Sequence, residues 1–188
     1  MQPNTPRQHA AQASRTEGTA LQDHSPNAAR SAASAPLREF LTFRLGHEDY
    51  AIDILAVQEI RMFESVTKLP GTPPYIKGVI NLRGVIAPVI DLRVKFGFEN
   101  ADYGPFTVLV VLRVCDRLAA VVVDAVADVV GLSDGEIKPA PELGSAVNIE
   151  YVMGLGTRGE QMLILLDIEK LITSRELGIF DQELTAIE

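Results

Sequence analysis

One cysteine, three histidines and no unbroken apolar run beyond six residues set the first limits on this 188-residue chain. The lone thiol, Cys115, excludes an internal disulfide framework. The apolar runs, Val108 to Leu112, Leu118 to Val123 and Met162 to Leu166, are strand-sized, whereas a bilayer-spanning helix needs roughly twenty residues. The first residues lack the charged, apolar and small-residue succession of a secretory signal, so a cytoplasmic chain is expected. His9, His24 and His47 have no metal-ligand spacing and none faces a cysteine. No metal site is expected. Glycine-rich phosphate loops ending in Lys-Ser or Lys-Thr are missing, and Gly154-Leu-Gly156 lacks the third glycine and the strand-turn-helix setting of a dinucleotide site. No cofactor is expected either. Cys115 has Arg113, Asp116 and Arg117 beside it but no catalytic base, so it reads as an inert turn thiol whose pKa the arginines would lower.

Positive charge is also scarce. Residues 1–36 carry Arg7, Arg15 and Arg30 against Glu17 and Asp23, a net of +1, which leaves −9 for the remainder of a chain whose total is −8. An acidic body argues against nucleic acid, whose phosphates are met by basic patches. Proteins or small molecules are the expected partners. The stretch 1–36 is Gln, Ala, Ser, Pro and Asn with almost no large apolar residue, too little to offset the entropy of ordering, so it reads as a disordered tail. The folded unit is expected to begin near Leu37.

What the chain does have is a copy of itself. Moved forward sixty-nine positions, Glu39-Phe-Leu-Thr-Phe-Arg44-Leu-Gly falls on Val108-Leu-Val-Val-Leu-Arg113-Val-Cys, and Ala51, Ala56, Val57 and Glu59 fall on Ala120, Ala125, Val126 and Asp128. With one insertion of seven residues, Tyr75-Ile-Lys-Gly78-Val then matches Tyr151-Val-Met-Gly154-Leu, and an aspartate, Asp91 or Asp167, follows each tyrosine after sixteen residues. Two units are too few for a solenoid, so the repeat predicts two similar small barrels packed as a pair.

The local pattern is mainly strand. Phe40, Thr42 and Arg44 alternate with Leu41, Phe43 and Leu45, the period of a half-buried strand, and Gly46 to Asp49 turn the chain into Tyr50 to Ile54. Gln58 to Phe63 continues as strand before the proline-rich loop Leu69 to Pro74. Gly78 to Asn81 and Val85 to Ile90 flank a turn at Leu82-Arg83-Gly84, and Pro88, unable to donate to a ladder, predicts an edge or a bulge. The second copy repeats this with the Lys138 to Gly144 loop, a Thr157-Arg-Gly159 turn and a strand over Met162 to Leu166.

Four aspartates at strand ends invite a catalytic reading that the repeat opposes. Asp91 precedes Leu-Arg-Val-Lys-Phe96 and then Gly97, and Asp167 precedes Ile-Glu-Lys-Leu-Ile172, so both stand where helix N-caps belong. Asp53 precedes a turn in the same manner, and Asp124 falls in the corresponding connection of the second copy without aligning on it; all four read as structural. Function is therefore expected on surfaces. Arg83 sits at a turn tip whose counterpart in the second copy is Gly159, an arginine that the architecture does not demand. Val57 and Ile60 recur as Val126 and Val129 and read as core, while Gln58, Glu59 and Arg61 read as outward-facing.

Three long segments, Glu39 to Arg61, Tyr75 to Gly97 and Glu150 to Ile172, closely resemble the CheW-like family of bacterial chemotaxis, over about residues 38–181. The resemblance implies a mainly β fold, two five-stranded SH3-like barrels with a few short helices, no catalysis and no cofactor. It implies a CheW-like domain over 37–181, with a first barrel at roughly 37–100, a second at roughly 101–175, a C-terminal segment free to pack back on the first, and a flexible end at 182–188. Its members bridge the cytoplasmic tip of chemoreceptor helical hairpins and the regulatory domain of the histidine kinase CheA. The receptor-facing positions match Val57, Glu59 and Arg83; the kinase-facing positions match Ile60, Arg61, Met62 and Gly78. The implied location is the cytoplasm, at membrane-associated receptor arrays, without membrane insertion. Arg113-Val-Cys-Asp-Arg117 departs from the family's glycine-bearing turn. Competing expectations are a non-flagellar pathway with another output, a regulatory module of a kinase, an adaptor fused to a receiver domain, and a small enzyme using the cleft between barrels. No phosphotransfer motif precedes the segment and no room for a receiver follows it, which disfavours the second and third.

Overall fold

The computed structural model describes residues 37–98, 103–141 and 150–174. The expected tail at 1–36 and flexible end at 182–188 lie outside the described residues. The first copy forms β1 (Arg38–Leu45), β2 (Glu48–Asp53), a 3-10 turn at Ile54–Ala56, β3 (Val57–Met62), β4 (Ile76–Leu82), β5 (Val85–Asp91) and α1 (Leu92–Lys95). The second forms β6 (Val108–Val114), β7 (Arg117–Val123), β8 (Ala125–Leu132), a 3-10 turn at Asp134–Glu136, β9 (Ile137–Lys138), β10 (Val152–Arg158), β11 (Gln161–Leu166) and α2 (Ile168–Thr173). The fold is mainly β, as the sequence predicts.

The two sheets are not the two halves of the chain. One sheet runs β8-β1-β2-β11-β10-β9 and the other β3-β6-β7-β5-β4. Each barrel thus takes its first hairpin from one copy and its remaining strands from the other, and the boundary expected near residue 100 falls inside the second sheet. A two-stranded hairpin is marginal alone and needs partners along both edges. Here β1 pairs with β8 and β6 pairs with β3, so each hairpin is completed by the opposite copy. The crossing is made at Ile54–Ala56, where the Asp53 carboxylate accepts a hydrogen bond from Leu55 N at 3.0 Å and starts the 3-10 turn.

This exchange explains why the hairpin strands are buried on both faces. Phe40 to Phe43 and Leu109 to Leu112 are all buried, so β1 is not the half-buried strand that its alternation suggested. Thr42, the polar member, lies at a register shift in the β1–β8 ladder, where its hydroxyl donates to Asp128 O at 2.9 Å and accepts from Asp128 N at 3.0 Å. One face of each hairpin lines its own barrel: Phe40 and Ala51 in one, where they meet Val130 of β8 and Leu165 of β11, and Leu109, Val111, Ala120 and Val122 in the other. The other face meets a core shared by both sheets, with Phe43, Ile52, Val110, Leu112 and the α2 residues Leu171 and Ile172. Each such large side chain contributes about 1.5–3 kcal/mol on burial, so the shared core welds the barrels together.

Equivalent bonds recur in both copies. The Tyr75 carbonyl accepts from Asp91 N at 2.7 Å and the Tyr151 carbonyl from Asp167 N at 2.8 Å, which accounts for the repeated sixteen-residue spacing. Asp91 then caps α1 through Arg93 N and Val94 N, and Asp167 caps α2 through Lys170 N. Gly78 and Gly154 are also equivalent. A Cβ on Gly78 would lie 2.1 Å from Thr67 O, and one on Gly154 would lie 2.6 Å from Lys138 O, because the chain before each strand crosses directly over the glycine.

Pro88 corrects a simple expectation, since β5 is interior, with β4 on one side and β7 on the other. Val79, its partner on β4, exchanges both backbone hydrogen bonds with Thr67 at 2.9 Å, so Val79 and Pro88 form a non-hydrogen-bonded pair. The position without an N–H therefore faces β7, whose ladder begins only at Val89. The glycine-free β6–β7 turn also keeps a tight form, with Cys115 and Asp116 both left-handed at φ 48° and 59°.

Candidate functional site

The residues singled out on β3 lie on an edge, because β3 ends its sheet and ladders only to β6. Val57, Glu59 and Arg61 are half-buried, whereas Gln58, Ile60 and Met62 are exposed. Ile60, expected in the core, is exposed, and Glu59 and Arg61, expected outward, are partly covered. Val57 and Ile60 are three residues apart, so a period of two places them on opposite faces, and the alternation of half-buried and exposed residues runs unbroken from Val57 to Met62; Val129, the repeat counterpart of Ile60, is exposed as well.

Arg83, at the tip of the β4–β5 hairpin, reaches across to β3. Its Nη2 lies 3.0 Å from Oε2 of Glu59, which is also 3.9 Å from Arg61 through its other oxygen. Arg61 in turn pairs with Glu64 at 2.9 Å. The Arg83 side chain remains 86% exposed, so this pair is worth at most about 1 kcal/mol and is free to be exchanged for a contact with a partner. Glu59 and Arg83 stand on the wall of a mixed polar and apolar cavity of about 200 Å³ whose floor is Leu82, Val111 and Leu118. Val57 is not part of that wall and packs against the core shared by the sheets.

The backbone at Arg83 carries a signal of its own. Its φ is 53°, in the left-handed region, followed by Gly84 at φ 93°. A side chain there costs about 1–2 kcal/mol, and the same place in the second copy holds Gly159 at φ 61°. The turn is held by Asn81, whose side-chain oxygen accepts from Gly84 N at 2.7 Å. An arginine is thus retained where glycine is the unstrained choice.

Of the remaining candidates, Ile60 and Met62 add exposed apolar surface to the β3 edge, and Phe106 is exposed on the segment leading into β6. Gly78 is buried, so its contribution is the close backbone crossing at Thr67 and not a surface contact.

Sequence reasoning missed a buried ionic cluster at the junction of the barrels. Arg93 is 4% exposed, with Nη1 2.7 Å from Asp124 and Nε 3.7 Å from Asp91. Asp124 accepts from Gly46 N at 2.7 Å, and Asp91 accepts from the Tyr103 hydroxyl at 2.8 Å. Tyr103 also stacks on Phe63 at 4.3 Å and lies under the Arg93 guanidinium at 5.1 Å. Burial, then the bond to Asp91, push the Tyr103 phenol well above its ordinary pKa. The four aspartates, read as structural from the sequence, each hold a backbone N–H in this way. At Cys115 the expected pKa lowering is reversed: Glu169 accepts the thiol hydrogen bond at 3.3 Å and raises the value, outweighing Arg117. Among the described residues no helix is long and apolar enough to cross a membrane.

Comparison with known proteins gives a consistent result. A family model described as CheW-like domain matches residues 39–176. The chain is 53% identical over 144 residues to the chemotaxis protein CheW of Klebsiella aerogenes, covering 77% of this chain and 87% of that protein. It is 36% identical over 146 residues to the chemotaxis protein CheW of Treponema pallidum, covering 74% and 84%, and 31% identical to protein FrzA of Myxococcus xanthus, covering 82% and 98%. Among solved structures, the scaffolding protein TtCheW of Thermoanaerobacter tengcongensis superposes with a TM-score of 0.68 at 31% identity, covering 74% of this chain and 94% of that one.

Proposed function

The chain belongs to the CheW-like domain family, and from that premise we propose that it couples the cytoplasmic tip of chemoreceptor hairpins to the regulatory domain of the histidine kinase CheA. Coupling adaptors of chemotaxis work by binding, and this chain offers surfaces suited to that work. The receptor contact is assigned to Glu59 and Arg83, with Val57 supporting the strand from the shared core. The kinase contact is assigned to the β3 edge, through Ile60, Arg61 and Met62, with Gly78 shaping the adjacent backbone. An open strand edge suits docking against another small barrel, and a charged rim beside apolar residues suits a helix laid across it. Holding both partners at receptor arrays raises their effective concentration and lets receptor state bias kinase activity.

The observation that carries this reading is Arg83 itself, left-handed where the repeat holds glycine, paired to Glu59 at 3.0 Å, and 86% exposed. Strain kept for a side chain that adds little to the fold points to use by a partner. The test is pull-down of the full chain on a receptor-tip fragment. Arg83→Glu is expected to lose receptor binding with an unchanged circular dichroism spectrum and melting temperature. Undiminished binding by that variant would remove Arg83 from the site.

A further inference from the structure

The outer face of β3 carries a row of exposed apolar side chains. Ile60 and Met62 lie two residues apart on it, and the charged residues of the strand, Glu59 and Arg61, alternate to the other face. Phe106 extends the row. It is the third residue of a β-turn, Gly104–Thr107, with Pro105 before it. Thr107 N donates to Gly104 O at 3.1 Å, Gly104 N donates to the Thr107 hydroxyl at 2.9 Å, and Thr107 itself is buried. The proline and the two bonds fix the backbone, yet Phe106 is 76% exposed. The repeat places its ring. Phe63 N donates to Thr107 O at 3.2 Å, and their repeat counterparts, Leu132 and Arg38, pair in the other sheet. There Leu37, the counterpart of Phe106, lies over Gly131, the counterpart of Met62: its Cδ1 is 3.3 Å from the position of a Cβ on that glycine. Phe106 thus flanks Met62, and the first edge holds phenylalanine and methionine where the second holds leucine and glycine.

On the assignment of the β3 edge to the kinase, we infer that Phe106 is a further contact residue of that interface, the anchor whose ring enters an apolar pocket of the kinase. Phenylalanine and methionine are enriched in the cores of interfaces, and charged residues are depleted there. Ile60, Met62 and Phe106 have that composition on adjoining positions, which separates them from the single apolar residues scattered over any surface. Shape selects the occupant. A turn tip beside a strand edge is convex, so it seats in a preformed hollow of a folded domain, whereas a receptor helix needs a groove to lie in. The conformation of the turn is already set by Pro105 and Thr107, so little ordering opposes binding and burial of the ring goes into affinity. Continuity with Ile60 and Met62 gives the ring to the same partner as the strand.

The test is calorimetric titration of the full chain with full-length CheA, beside pull-down on the receptor-tip fragment. Phe106→Ser is expected to bind CheA about ten-fold or more weakly, with an unchanged circular dichroism spectrum and melting temperature and undiminished receptor binding. Phe106→Leu, which keeps an apolar group, should recover part of the loss. Wild-type affinity for CheA in Phe106→Ser would overturn the anchor and leave the adaptor reading standing. A wild-type chain that does not bind CheA would remove that reading, and the anchor with it. Two other occupants have their own signatures in the absence of CheA. Concentration-dependent sedimentation of the wild type that Phe106→Ser abolishes would give the ring to a second copy of the chain. A fluorine resonance of fluorophenylalanine at position 106 that moves when residues 1–36 or 175–188 are removed would give it to the chain's own ends. Either result would overturn the kinase as the occupant.

Discussion

The guanidinium of Arg93 lies 2.7 Å from the carboxylate of Asp124, and the bond spans the exchange of strands between the two barrels. Arg93 follows β5 of one sheet, while Asp124 stands between β7 and β8, at the point where the chain passes to the other sheet, and holds Gly46 N of the β1–β2 turn. Removing one member of a buried pair leaves an uncompensated charge, at about 3–5 kcal/mol. Asp124 keeps some solvent contact, so Arg93→Ala is expected near 3 kcal/mol. Urea unfolding measures this, and a loss below 1 kcal/mol would show the cluster to be ornamental to stability.

Tyr103 ties stability to alkaline pH. Its folded pKa is raised above the ordinary 10.0, first by burial and then by Asp91. A group whose folded value is raised contributes stability that is complete below its unfolded pKa and lost as pH climbs through the folded one. The wild-type chain should therefore weaken progressively above about pH 10, as the phenol of the unfolded chain ionises first. Tyr103→Phe should be about 1–2 kcal/mol less stable at pH 8 and show a shallower loss between pH 9 and 11. Parallel curves for the two proteins would contradict the assignment.

Gly78 tests whether a contact residue can be told from a folding residue. With φ 143° and a virtual Cβ 2.1 Å from Thr67 O, Gly78→Ala has no room and no relaxed backbone. It is expected to cost more than about 4 kcal/mol. Gly154→Ala, at 2.6 Å from Lys138 O and without a left-handed φ, should cost less. Any defect of a Gly78 variant in kinase binding should appear only together with a lowered melting temperature.

Arg83→Gly separates strain from function. Glycine relieves the left-handed backbone but gives the unfolded chain more freedom, so the variant should be neutral to about 1 kcal/mol more stable. Receptor binding should fall in the same variant. A protein that is more stable and binds worse is the signature sought; a variant that binds normally would leave the strain at Arg83 without a purpose.

The two capping aspartates show what could be read from the sequence and why. A cap depends on an acceptor a few residues ahead of a short apolar run, which is a local pattern, and the repeat supplied it twice. Ile60 shows the limit. It reads as core because it recurs as Val129, yet both residues are exposed, since the repeat preserves the residue type while the cover over each strand face depends on the sheets around it. Cys115 shows another: the arginines beside it in sequence are outweighed by Glu169, fifty-four residues away.

The sequence by itself determined the duplicated strand order, the mainly β class, the helix caps and the family, because each rests on patterns of near neighbours or on direct alignment. Tertiary structure decided which strands share a barrel, how Arg83 meets Glu59, and how Arg93, Asp124 and Tyr103 converge. These depend on pairings between residues far apart along the chain, and strands of similar composition offer several such pairings with equal hydrophobic fit. Only burial of the shared core and satisfaction of the buried charges select one.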